Sequence, residues 1–370
     1  MLVEKYSALN QERADKRLER YFKTKTLQRL KGKGMFCGMD YTGIKIIRPI
    51  EYYSRYDHSK NVANTACKLS DELKVALAGA FHDVGTLSFA HVNSFKKKDA
   101  MHQASDELKI ESVLKQDEEL LEYLHEDKIE LKDVTNPEQY PLIDKEIPAL
   151  CLDRSDGILA TCLFWAHTHS FEEIKALYYM LAYFENLNGQ CVDIFNSRFE
   201  NFTGEIALDE GYDAEFEDFF SAINIYSKLQ LTKEDRYFME LLGLALNYYE
   251  DIGTIQEEDL FCLSEQEIID KIFDSKEKSV LEDILSLEEV RYATPEDNGI
   301  VVITQPKIRQ CNPLCFNHMA LCEINDISGQ FYQELNPLFK DICLTKRPIT
   351  GSLSKDTVKK LSKYLKPRQN

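Results

Sequence analysis

The sequence predicts a mainly helical protein with a small C-terminal sheet. Three observations predict it: apolar residues recur at three- and four-residue steps over most of the chain, Gly (15) and Pro (10) are sparse, and short β-branched runs gather near the C-terminus. With 370 residues and 44% apolar content, the chain is long enough for one large domain or two ordinary ones.

The elements follow in order. The opening "MLVEKYSALNQERADKRLER" is charged throughout and shows no apolar leader. In "SRYDHSKNVANTACKL", His58 opens a helix whose buried face carries Val62, Ala66 and Leu69. Ser70, before "DELKVALAGAF", is the expected N-cap of the next helix, with acids in its first turn. Residues 125–148, "HEDKIELKDVTNPEQYPLIDKEIP", read as a loop-rich connection. "LDRSDGILATCLFW" places Asp153 and Asp156 three apart on an otherwise apolar helix. "FEEIKALYYMLAYFENL" and "KEDRYFMELLGLALNYYEDI" read as long amphipathic helices. "VRYATPEDNGIVVITQPKIRQ" then switches to short β-branched runs around a turn, the small sheet.

A net charge of −18 and a pI near 5.0 argue against binding duplex nucleic acid or an anionic membrane, since both demand a basic face. A small anionic substrate in a local basic pocket remains compatible. No apolar run reaches bilayer-spanning length, so a soluble, cytoplasmic protein is expected. The ten cysteines show no disulfide-framework spacing and read as reduced core residues. Cys311, Cys315 and Cys322 lack a CxxC pair and any clear fourth ligand except His318, so packing is preferred to zinc there.

Chemistry concentrates in "AGAFHDVGTLSFAHV", residues 78–92, where an apolar run closes on His82 and Asp83 and meets His91. Upstream stands His58; downstream stands Asp153, whose carboxylate on an apolar helix demands a cation, either Arg154 or a metal ion. Two imidazoles and two carboxylates form a mixed nitrogen and oxygen set that suits an octahedral divalent ion with positions left open. Each residue alone also has a structural reading, as helix start, capping pair or salt-bridge partner. Lys96 to Lys98 read as a solvated basic loop, and Tyr178, Tyr179 and Tyr183 as core packing at helical spacing. His167 and His169, two apart, point to different sides of a helix and stay out of the site.

The order His, His-Asp, Asp resembles the signature of the HD-domain phosphohydrolases. More narrowly, the chain is similar to the deoxynucleoside triphosphate triphosphohydrolase branch: "TLQRLKGKG" resembles its entry segment, "RYDHSKNVA" its Arg-aromatic-acid-His-Ser element, and "HDVGTLSFAH" its central loop. "MHQAS", "LDRSDGI" and "KIRQCNP" resemble its second histidine element, last ligand helix and C-terminal Lys-x-Arg strand. The resemblance runs with gaps from about residue 25 to 165 and again near 307 to 313.

This resemblance implies an HD-domain helical bundle with a small C-terminal α/β appendage. The expected division is an N-terminal arm with a substrate-side basic segment (1–50), a helical phosphohydrolase domain (51–290) and an α/β region (291–370). It implies that His58, His82, Asp83 and Asp153 hold one divalent ion, Mn, Mg, Fe, Ni or Co. Arg55 and Arg154 would hold phosphate oxygens, Gln28 and Arg29 would contact substrate, and His91 and His102 would flank the scissile phosphate. Lys307 and Arg309 would reach phosphates or a regulatory site.

The implied substrate is a small nucleotide, foremost a deoxynucleoside triphosphate cleaved to nucleoside and triphosphate. Alternatives are another phosphoester, such as a nucleoside monophosphate or guanosine polyphosphate, and a nucleotide sensor with weak turnover. A homo-oligomer is compatible with each. The chain departs from the branch at Thr86 (often His), Ser94 (often an acid paired with the histidine), Gly157 (commonly aromatic) and Thr161 (about where an acid contacts the sugar). These departures touch the nucleotide pocket more than the metal site.

Overall fold

In the computed structural model, the helix Arg55–Ser70 starts at a capping box in which Ser54 Oγ accepts the Asp57 amide and the Asp57 carboxylate accepts the Ser54 amide. The described residues are 1–9, 15–99, 109–147, 149–179, 181–187, 190–193, 205–208, 221–223, 225–303, 311, 314–317, 320–323 and 347–365. Asp71, in the left-handed region at φ 53°, ends this helix. Ser70 is therefore its last residue and not the N-cap of the next helix. Its hydroxyl returns to the Ala66 carbonyl, and Glu72 occupies the following N-cap. Local cap spacing could not distinguish these two positions within so short a link.

The next helix, Leu73–Phe81, packs against Arg55–Ser70 and buries nearly every side chain it carries. That explains why its sequence is apolar on all sides. Leu152–Ala160 also packs on Arg55–Ser70 and widens into a π-helical turn, Thr161–Trp165. The N-terminal helix Leu2–Ala8 lies against the same long helix and brings Tyr6 inside.

A second layer joins Val92–Lys96 to Lys233–Asp251. Gly243 permits this approach, because a Cβ there would stand 2.9 Å from the Lys96 amide nitrogen. Lys96 is buried and pairs with Glu250, so it does not belong to a solvated loop.

The strands differ most from expectation. The helix Phe171–Tyr179 gives way to a strand, Leu181–Leu187, where the helical pattern predicted continuation. This strand pairs antiparallel with Gln190–Asp193 and Glu205–Leu208. Glu205–Leu208 then pairs in parallel with Leu314–Asn317, which forms an antiparallel pair with Ala320–Glu323. One sheet thus spans the expected boundary at residue 290, a ladder between distant segments that local periodicity does not encode.

The predicted C-terminal sheet consists of Val290–Tyr292 and Val301–Val302 on either side of Ile349–Gly351. Tyr237 ties it to the long helix by donating to the Ile300 carbonyl at 3.0 Å. Of the expected connection 125–148, residues 127–147 form loops and short 3₁₀ turns, whereas His125 and Glu126 close the helix Glu118–Glu126 and residue 148 lies outside the described residues.

Cys67, Cys151, Cys162 and Cys311 are buried, while Cys262 is exposed and departs from the core reading. Cys315 and Cys322 oppose each other across their strand pair; His318 lies outside the described residues. Tyr178 is in the core, whereas Tyr179 is 47% exposed; the Tyr183 side chain lies outside the described residues. Among the described residues, no helix is long and apolar enough to cross a membrane.

Candidate metal centre and active site

The helix pair and the crossing helix bring four side chains to one point. His58 projects from the first turns of Arg55–Ser70, His82 caps the C-terminus of Leu73–Phe81, Asp83 follows it, and Asp153 lies in the first turn of Leu152–Ala160. His58 Nε2 stands 3.1 Å from His82 Nε2 and 3.0 Å from Asp153 Oδ1. His82 Nε2 is 3.5 Å from Asp153 Oδ1, and Asp83 Oδ2 is 3.9 and 3.7 Å from the two imidazoles.

These spacings fit a divalent ion. With ligand bonds of about 2.1 Å, neighbouring ligand atoms in an octahedron lie about 3.0 Å apart and opposite ones about 4.2 Å. Among the described residues, His58, His82 and Asp83 form a metal-capable group with all ligand atoms within 4.8 Å of one another, and Asp153 falls in a second such group with Asp144 and Cys151. Two imidazoles directed nitrogen to nitrogen at hydrogen-bond distance are the arrangement expected where an ion organises them.

Further partners set the ligands' orientation. Asp156 Oδ2 contacts His58 Nδ1 at 2.6 Å, while the Gly79 carbonyl faces His82 Nδ1 at 2.6 Å. Both contacts direct Nε2 of each ring toward the shared point. Asp156 also accepts the Tyr6 hydroxyl on Oδ1 at 2.9 Å and the Tyr53 hydroxyl on Oδ2 at 2.8 Å. Asn61 Nδ2 donates to Tyr53 Oη at 2.8 Å, completing a buried chain behind the site. Asp83 receives Arg55 on Oδ2 at 2.6 Å and Thr86 Oγ1 on Oδ1 at 3.4 Å.

Sequence reading missed the part played by Asp156. Its signal was the three-residue step from Asp153, which puts both carboxylates on one helix face, one for each nitrogen of His58.

Burial opposes protonation of both imidazoles, but the facing carboxylates outweigh it. Asp153 and Asp156 raise His58 to about 10, and Asp83 and Asp153 raise His82 to about 9. Burial penalises the Asp83 carboxylate, yet Arg55 and the imidazoles hold its pKa below the usual range. Without an ion, the site therefore favours holding a proton at neutral pH; the two Nε2 atoms, 3.1 Å apart, cannot both carry one, and an incoming cation must displace it. Apparent metal affinity is expected to increase as pH rises from about 6 to 9, by up to about tenfold per pH unit for each proton displaced. Calorimetric titration with Mn at several pH values, in buffers of different ionisation enthalpy, measures affinity and proton release together. A flat profile without proton release would contradict the assignment.

The centre opens into a cavity of about 550 Å³. Arg55, Asp83 and Asp153 contribute to its wall, together with His91 and Arg154. Arg154 also donates to the Lys145 carbonyl at 3.0 Å and to the Ala149 carbonyl. Phe36 and Trp165, their rings 5.2 Å apart, add an aromatic wall. Gly157 and Thr161 also line it, so two of the noted departures fall on the cavity surface.

Gln28 and Arg29, expected on the substrate, instead meet backbone carbonyls. Gln28 donates to Phe22, and Arg29 to Val84, Thr86 and Phe261, with its guanidinium over the Phe261 ring. His102, Lys307 and Arg309 lie outside the described residues.

Residues 55–161, which carry His58, His82, Asp83 and Asp153, match the family model of the HD domain. Similarity to other proteins covers most of the chain. The Bacillus subtilis (strain 168) protein YdhJ, described as uncharacterized, is 24% identical over 311 residues, covering 83% of this chain and 86% of that protein. The fold resembles the crystal structure of a phosphohydrolase from Bacteroides thetaiotaomicron VPI-5482, with TM-score 0.58, 13% identity and coverage of 91% and 95% of the two chains. It also resembles a hypothetical protein from Aquifex aeolicus, with TM-score 0.52, 17% identity and coverage of 95% and 96%.

Proposed function

We propose that this protein is a metal-dependent phosphohydrolase acting on a nucleotide, foremost a deoxynucleoside triphosphate that it splits into nucleoside and triphosphate. The observation that carries the hydrolase reading is the convergence of His58, His82, Asp83 and Asp153 on one point beside a cavity of nucleotide size. The narrower substrate rests on the sequence resemblance.

A divalent ion held by these four residues would polarise a phosphoryl oxygen and lower the pKa of a bound water. Asp156 and the Gly79 carbonyl keep the two imidazoles aimed at that ion. Arg55 orients Asp83, while Arg154 offers positive charge to phosphate oxygens at the cavity wall. His91 gives its proton to the leaving oxygen. The aromatic wall of Phe36 and Trp165 receives the base.

The test is product analysis after incubation with a panel of deoxynucleoside and nucleoside triphosphates, monophosphates and guanosine polyphosphates, each with Mn, Mg, Fe, Ni or Co. Inorganic triphosphate with free nucleoside supports the reading; orthophosphate from a monophosphate keeps the hydrolase and changes its substrate. No product from any pair overturns it. His91→Ala is expected to lower kcat by about 100- to 10,000-fold while metal content stays at the wild-type level. An unchanged kcat would remove His91 from the chemistry.

A further inference from the structure

His91 is delivered to the cavity by a turn in which two non-glycine residues, Phe89 (φ 62°) and Ala90 (φ 41°), hold left-handed backbone. Such a turn persists only where its surroundings over-determine it. Three buried side chains do so. Asn93 Nδ2 donates to the carbonyls of Ser88 (3.0 Å) and Ala90 (2.9 Å). Lys33 Nζ donates to Ser88 Oγ at 2.6 Å and to the carbonyls of Leu260, Phe261 and Leu263 at 3.1, 3.0 and 2.6 Å.

The third is Glu265, the first residue of the helix Glu265–Phe273, whose Oε1 accepts the Phe89 amide at 3.0 Å. Glu265 is fully buried; the Phe89 and Gly34 amides face its carboxylate, and among the described residues Oε2 makes no well-formed hydrogen bond. Asp40 Oδ2 likewise has no hydrogen-bond partner among the described residues, and both oxygens lie 3.0 Å from the point that a Cβ on Gly34 would occupy. A buried carboxylate with one oxygen unsatisfied is costly in itself. Its bond at Oε1 reaches the residue two positions before His91.

We propose that Glu265 is a positioning residue for the reaction: by accepting the Phe89 amide it sets the left-handed turn that holds His91 against the substrate. The proposal rests on the reading of His91 as proton donor. It adds a control point from a helix some hundred residues beyond the matched HD segment.

Two substitutions separate reach from charge. Glu265→Asp keeps the charge but withdraws the carboxylate by one methylene; Glu265→Gln keeps reach and acceptor, removes the charge, and offers an amide toward Asp40. Glu265→Asp is expected to lower kcat by about 10- to 100-fold, as for a small displacement of a catalytic group, with KM and metal content unchanged. Amide exchange of residues 84–96 should quicken in the same variant, and Glu265→Gln should retain kcat within about twofold. In a His91→Ala background, Glu265→Asp should add no further loss, because both changes act through one group.

Wild-type kcat and exchange in Glu265→Asp would overturn the proposal, and so would a fully additive loss in the double variant. Equal damage from Asp and Gln would show that the reach of the acceptor oxygen does not decide the effect, and would likewise overturn it. If the wild type hydrolyses no nucleotide, the hydrolase reading fails separately. Exchange at residues 84–96 then decides whether Glu265 fixes the turn: faster exchange in Glu265→Asp supports that, and unchanged exchange rejects it.

Discussion

His82→Ala is expected to leave a folded chain that has lost its ion and about 1000-fold or more of its hydrolytic rate, the equivalent of several kcal/mol of transition-state stabilisation. The ring is nearly buried, and its Nε2 lies against both His58 and Asp153, so no neighbouring side chain substitutes for it without moving. The single variant is cleaner than one that also removes Asp83. Asp83 forms a buried ion pair with Arg55 at 2.6 Å, and breaking such a pair costs about 3–5 kcal/mol in its own right. Elemental analysis and a thermal melt read the two effects apart. Wild-type metal content in His82→Ala would sink the ligand assignment whatever happens to activity.

Asp156→Asn carries the second large effect, and on two measurements. The carboxylate faces His58 Nδ1 and accepts two buried tyrosine hydroxyls, using both oxygens. An amide has one acceptor oxygen, so at least one tyrosine then faces a donor. Metal affinity is expected to fall by about 10- to 100-fold, the usual consequence of disturbing a ligand's orienting partner. Stability should fall by about 1–3 kcal/mol for the buried hydrogen bond that cannot re-form. Metal titration and chemical denaturation check the two parts. A variant that binds Mn as tightly as wild type would show that His58 needs no help from Asp156.

What the sequence revealed of this arrangement follows from the range of each interaction. His58, His82, Asp83 and Asp153 stood out in the sequence because metal-capable residues inside apolar helices are anomalous, and the structure brings His58, His82 and Asp83 within ligand reach of one another. Lys233–Asp251 and the residue 290–302 strands were legible from period alone. Leu181–Leu187 was not, since its residues suit a helix and become a strand through partners at 190–193 and 205–208. Glu265 opens "EQEIIDKIF", which reads as an exposed amphipathic helix start. Only the tertiary approach of Phe89 and Gly34 turns that residue inward. Tyr6 likewise has no local signal, because its partner lies 150 residues away.

The separation of Glu265 from the metal ligands has a consequence for synthesis. All four proposed ligand residues have been made once the ribosome passes residue 161, the end of the matched segment, whereas Glu265 follows roughly a hundred residues later. At elongation rates of about 5–20 residues per second, that interval is on the order of ten seconds. A nascent chain can therefore gather its ion-binding groups before the Phe89 amide meets its acceptor. Arrival of the helix Glu265–Phe273, and not metal capture, would then be the step that completes the proposed His91 turn.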